Sequence, residues 1–123
     1  MTKNFSKKEF DSNCGAEMPE EVFLNVVKLA NQLQYLRGFL GKPIKINSGY
    51  RSPEHNSKIG GVKHSQHLLG KAADISVKGV KPEFIYHFID EAISKGEMLQ
   101  GGLGLYETFV HYDIRGTKAR WNG

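Results

Sequence analysis

The sequence has a single cysteine, Cys14, in 123 residues. A disulfide within the chain is therefore excluded, and so is a metal site built from several thiolates. Any metal has to be held by histidine and carboxylate. Long apolar runs are missing too. Nothing approaches the roughly 18 consecutive apolar residues of a membrane span, so membrane insertion is not expected. Residues 1–10 carry lysines but no apolar stretch of the secretion-signal kind. The expectation is either cytoplasmic synthesis or the mature form of an exported protein. No low-complexity tract or useful internal repeat occurs, and the apolar and charged fractions, 39% and 24%, are those of a globular protein. This length suits one core and one domain, 1–123. The net charge of +4 is spread along the chain and favours approach to an anionic polymer. No helix-turn-helix, zinc-finger or base-stacking pattern accompanies it, so nucleic acid is not an expected partner.

What is present reads as an α+β scaffold. Val22, Val26, Leu29, Leu33, Leu36 and Leu40 recur at steps of four and three after Pro19-Glu20-Glu21, which predicts an amphipathic helix stopped by Gly41. Residues 43–47 alternate, with Ile44 and Ile46 on one face, and predict a strand that delivers a loop carrying Arg51. From 52 to 70 the chain is polar and punctuated by Gly60, Gly61 and Gly70, so a long loop is expected, with one helical turn at Pro53–Lys58. Residues 72–77 predict a strand with Ala73, Ile75 and Val77 on one face and Asp74 on the other. Pro82 opens a second helix with Ile85, Phe88, Ile89 and Ala92 as its apolar stripe. Residues 101–106 and 109–115 predict two closing strands, the second with Val110, Tyr112 and Ile114 opposite His111, Asp113 and Arg115. The expected fold is a small, mainly antiparallel sheet with the helices on one face and a polar site on the other.

Two strands thus present a carboxylate and an imidazole on their polar faces, and the preceding loop brings His67 seven residues ahead of Asp74. His67, Asp74 and His111 make a set of three zinc ligands, the number a catalytic zinc keeps while leaving a fourth position open. By spacing alone the signal is weak, and a capping Asp with a loop His accounts for it better. His64 and His67 form a competing His-x-x-His pair on the loop. His55 reads as solvent-exposed and His87 as a surface or boundary residue. Cys14-Gly15 carries no nucleophile signature without a nearby base. Tyr50, Tyr106 and Tyr112 fit packing better than a cleft.

The stretch Ser48-Gly49-Tyr50-Arg51-Ser52, then Gly60-Gly61, then Ser65-Gln66-His67-Leu68-Leu69-Gly70-Lys71-Ala72-Ala73-Asp74-Ile75, closed by Phe109-Val110-His111-Tyr112-Asp113, resembles the zinc D-Ala-D-Ala carboxypeptidases and related peptidoglycan peptidases of peptidase family M15. The resemblance runs from about Phe5 to Trp121. It implies the hedgehog/D-Ala-D-Ala peptidase-like fold, one zinc ion held by His67, Asp74 and His111, and Arg51 facing the substrate, with Ser65 also assigned to substrate binding. It further implies hydrolysis of peptide bonds in cell-wall stems or cross-links, at linkages that include D-amino acids, by a monomer that in some members serves phage lysis. Many relatives place a Glu or Asp three residues before the last zinc histidine as general base, and here that residue is Thr108. Glu107 and Asp113 are the nearest carboxylates in sequence. Asp113 shares a strand face with His111, so it is assigned as a catalytic residue that receives a proton, or else it holds the ligating imidazole by its other nitrogen. A wall-binding module with zinc but little or no catalysis is the alternative.

Overall fold

A computed structural model of the chain describes residues 1–11, 18–60 and 65–123. Helix α1, Glu20–Leu40, forms where the apolar periodicity lies: Val26, Leu29, Ala30, Leu33 and Leu36 are buried along one stripe. Glu20 and Glu21 sit in its first turn, where carboxylates complement the helix dipole. Gly41 ends it in the left-handed conformation, φ 65°, and its N–H donates to the Arg37 carbonyl. Helix α2, Pro53–Lys58, is capped by the Ser52 hydroxyl, which accepts from the His55 N–H. Helix α3, Pro82–Ser94, starts on a proline and buries Ile85, Ile89, Ala92 and Ile93.

Among the described residues, five strands form one sheet: β1, Lys45–Ser48; β2, Ala72–Ser76; β3, Gly102–Leu105; β4, Val110–Asp113; β5, Ala119–Asn122. Their order is β1-β2-β4-β3-β5. Ala73, Ile75, Leu103, Val110 and Tyr112 join the buried residues of α1 and α3 in one core. Alternation along the strands turns Asp74, His111, Asp113, Gly102 and Gly104 to the opposite face. The division into an apolar face under helices and a polar face opposite is as expected. No helix among the described residues is long and apolar enough to cross a membrane.

The expectation of a mainly antiparallel sheet needs correction, because the sheet is mixed. β1–β2, β2–β4 and β3–β4 are antiparallel, but β5 runs parallel to β3. The reason lies in the order of the strands. β4 is flanked on both sides by β2 and β3, so the chain that reverses after β4 finds no free edge there. It takes the open edge of β3, to which it is then parallel. Arg120 fixes that edge, with Nη1 donating to the Gly101 carbonyl at 2.7 Å and Nε to Asp90 of α3 at 3.0 Å.

The pairing puts five residues in one row across the sheet: Ser48, Asp74, His111, Gly104 and Trp121 are successive register partners. A bulge between Ile46 and Ser48 adjusts β1 to that row.

Candidate metal centre

His67 does not come from a strand. It sits in a short 3-10 turn, Gln66–Leu69, whose N-cap is Ser65; the Ser65 hydroxyl accepts from the His67 N–H at 3.2 Å. The Arg51 N–H donates to the His67 carbonyl at 3.1 Å, tying the turn to the loop after β1. Asp74 and His111 are direct partners on β2 and β4. One ligand atom from each of His67, Asp74 and His111 falls within 4.8 Å of the others, and all three residues are buried.

The hydrogen bonds settle which nitrogens are free. His67 Nδ1 lies 2.7 Å from the Gly49 carbonyl, which can only accept, so Nδ1 carries the proton and Nε2 a lone pair. His111 Nε2 lies 2.7 Å from Asp113 Oδ2, so there Nε2 carries the proton and Nδ1 the lone pair. Asp74 Oδ1 then faces His67 Nε2 at 3.3 Å and His111 Nδ1 at 3.1 Å. In their neutral tautomers these are three acceptors aimed at one another in a buried place, an arrangement that requires a cation or a proton between them. The electrostatics point the same way. Burial alone would lower the His111 pKa, but hydrogen bonds to the Asp113 and Asp74 carboxylates raise it above the ordinary histidine value. Burial would raise Asp74, yet hydrogen bonds from His111 and His67 hold it well below the usual carboxylate range. Two neutral imidazoles and one ionised carboxylate are a donor set that fits a divalent metal ion.

Asp113 is fully buried behind His111. Both its oxygens are engaged: Oδ1 accepts from the Gly102 N–H at 2.8 Å and Arg115 Nε at 2.9 Å, and Oδ2 from His111 Nε2 and from Arg115 Nη2, each at 2.7 Å. Burial would raise its pKa, but these bonds, His111 first, keep it well below the usual range. Gly102 is glycine because a Cβ there would collide with the Asp113 carboxylate, and Gly104 because a Cβ would collide with the Trp121 indole.

A cleft of about 370 Å³ opens over these three side chains, lined also by Arg51, Ser65, Gln66, Tyr106, Phe109, Arg115 and Trp121. Arg51 is held by Ser48 Oγ at 3.2 Å, and its Nη2 lies 3.5 Å from Asp74 Oδ2. Of the site residues read from sequence, the structure thus brings Arg51, Ser65, His67, Asp74 and His111 around one cleft, whereas Asp113 does not line it. Glu107 and Thr108 are exposed in the turn between β3 and β4. Among the described residues, Asp74 is the only carboxylate lining the cleft.

His64, Gly61 and Cys14 lie outside the described residues. His87 is exposed as expected, while His55 is half-buried rather than at the surface. Tyr50 and Tyr112 pack in the core, and Tyr106 lines the cleft. Sequence reasoning missed Phe109, Arg115 and Trp121 as cleft residues. Arg115 had a readable signal, since it shares strand parity with His111 and Asp113. Trp121 had none without β5.

A 45-residue stretch of the chain is 47% identical to the zinc D-Ala-D-Ala carboxypeptidase of Streptomyces albus G, a match that covers 36% of this chain and 18% of that protein. The chain therefore matches far less than two thirds of that relative's length. The Peptidase M15 family matches residues 3–113, nearly the whole length. The chain belongs to the Peptidase M15 family.

Proposed function

We propose that the chain is a zinc-dependent peptidase that hydrolyses peptide bonds in bacterial peptidoglycan stems or cross-links, acting as a monomer, with use as a phage-type lysis enzyme included in this reading. The observation that carries it is the convergence of two imidazole lone pairs and the Asp74 carboxylate at the floor of an open cleft. His67, Asp74 and His111 would hold one zinc ion. Bound there, zinc would act as a Lewis acid, polarising the scissile carbonyl and making water acidic enough to react near neutral pH. The slight excess of positive charge suits an anionic wall.

The chain's own residues do the rest. The Gly49 carbonyl and Asp113 fix the tautomers of His67 and His111 so that a lone pair of each faces inward. Asp113 is assigned to that orienting task rather than to proton transfer at the substrate, since both oxygens are occupied away from the cleft. Arg51 offers a planar fork of donors to a substrate carboxylate or carbonyl oxygen. Ser65 holds the His67 turn and borders the same space.

A second reading has a specific observation behind it. Thr108 stands where many relatives have a carboxylate, and Asp74 is the only acid lining the cleft among the described residues. A wall-binding module with weak catalysis fits that fact. Incubation of the zinc-loaded protein with purified peptidoglycan, with and without chelator, separates the two. New amino groups and soluble fragments that disappear with chelator are expected of the peptidase. Co-sedimentation with the wall and no fragment release would favour the module.

Arg51→Lys keeps the charge but loses the fork. Turnover of wall fragments should fall about tenfold or more, at least about 1.4 kcal/mol of transition-state stabilisation. Steady-state kinetics on a soluble stem peptide checks this, and unchanged kinetics would reduce Arg51 to a partner of Asp74.

A further inference from the structure

The family match ends at residue 113, yet Arg115 and Trp121 beyond it both line the cleft. They are built into place. Arg115 is clamped to Asp113 by two parallel bonds, Nε to Oδ1 at 2.9 Å and Nη2 to Oδ2 at 2.7 Å. Its guanidinium lies 5.5 Å over the Trp121 ring, and its side chain keeps 29% of its surface exposed. Trp121 in turn donates its Nε1–H to Tyr106 Oη at 2.9 Å, and Tyr106 stacks on Phe109 at 4.4 Å. Space for the indole exists because residue 104 has no side chain.

A guanidinium has five N–H donors, and Asp113 uses two of them. The remaining three have no protein partner among the described residues. A guanidinium already fixed on one edge and stacked on an indole loses little freedom when its other edge binds an anion. Arg115 lines the cleft, so its remaining N–H groups are within reach of a bound molecule. Arg51 follows β1, whose Ser48 begins the cross-strand row, and Arg115 lies over Trp121, which ends that row on β5, with Asp74 and His111 in the row between.

We propose that Arg115, seated on Trp121, is a second carboxylate-binding subsite, so that the cleft selects short peptides bearing an acidic group on the amino-terminal side of the bond cut in addition to the group held by Arg51. The inference rests on the peptidase reading, and the amino-terminal side follows when Arg51 binds a carboxyl-terminal carboxylate, one of the two groups its fork fits. Arg115 Nη2 and His111 Nε2 each meet Asp113 Oδ2 at 2.7 Å, so the guanidinium stands beside the imidazole that faces the metal position, within reach of a group about two units from the scissile bond. Trp121 and Tyr106 give the intervening unit an apolar and partly polar wall.

Trp121 is the chain's single tryptophan and lines the cleft, so its fluorescence follows binding there, and the comparison of the two probes isolates the subsite. The probes are N-succinyl-D-Ala-D-Ala, with a carboxylate two units before the bond, and N-acetyl-D-Ala-D-Ala, which lacks it. Chelator-treated protein, which cannot turn either over, should bind the succinyl peptide about tenfold more tightly at low ionic strength, a preference that shrinks as salt is added. In Arg115→Gln the ratio should fall to about one. Arg115→Lys, which retains a charge beside Asp113, should keep only part of the preference. Equal binding of the two probes by the unaltered chain overturns the proposal whether or not a variant folds, and so does a preference that survives in Arg115→Gln. Release of D-Ala by the zinc-loaded protein is read in parallel. Release from both peptides at equal efficiency sinks the subsite and leaves the peptidase reading intact, whereas preferential binding without release from either, together with no fragment release from peptidoglycan, sinks the peptidase reading and leaves the subsite as a binding feature.

Discussion

His67→Ala should leave the chain without stoichiometric zinc and reduce its action on wall peptide to that of chelator-treated protein. Each of the three side chains supplies one donor, so losing one leaves two protein ligands, fewer than a catalytic zinc keeps. The lost Lewis acid is worth several kcal/mol in the transition state, a rate effect of about a thousandfold or more. The fold should survive. Leu29, Leu33, Leu36, Ile75, Ile85 and Ile89 form a core on the far face of the sheet that does not include the ligands. A zinc finger, by contrast, unfolds when its metal is removed. Metal analysis of the purified variant and its thermal unfolding check both halves. Full zinc retention would move the site elsewhere, and a collapsed unfolding transition would mean that His67 is chiefly structural.

The second large effect is expected at Asp113→Asn. The amide keeps one acceptor and turns the other into a donor, yet both carboxylate oxygens now receive N–H groups from His111, Arg115 and Gly102. One of those donors must lose its partner in a buried place, at a cost of about 1–3 kcal/mol in stability. His111 loses the bond that fixes its tautomer, and zinc affinity should weaken by about 10 to 100-fold. Competition against a chromophoric chelator measures this directly. An unchanged zinc affinity combined with lost activity would return Asp113 to the role of a proton acceptor and overturn its assignment as the group that orients His111.

Much of this arrangement was legible because alternation along strands is a strict rule. Placing Ile75 and Ala73 inside sends Asp74 out, and placing Val110 and Tyr112 inside sends His111 and Asp113 out together. The helix α1 stripe and its stop at Gly41 were equally direct. The sequence does not carry the register between strands, and register is what makes Asp74 and His111 partners. β5 was invisible for a related reason. Ala119-Arg120-Trp121-Asn122 is half-exposed on a sheet edge and has no apolar alternation to mark it. Its parallel pairing follows from which edge is left free, a property of the assembled sheet. With β5 hidden, the reason for glycine at 104 was hidden too, since the side chain it makes room for is 17 residues away. The two readings of Asp113 shared one strand parity and were separated only by where its oxygens find donors.

The central claim is that His67, Asp74 and His111 together hold a zinc ion, and zinc K-edge X-ray absorption of the metal-loaded chain tests it most directly. The expected coordination shell is of nitrogen and oxygen alone, with the outer scattering of two imidazoles, reduced to one imidazole in His111→Ala. A sulfur in the shell, or two imidazoles that persist in His111→Ala, would contradict it.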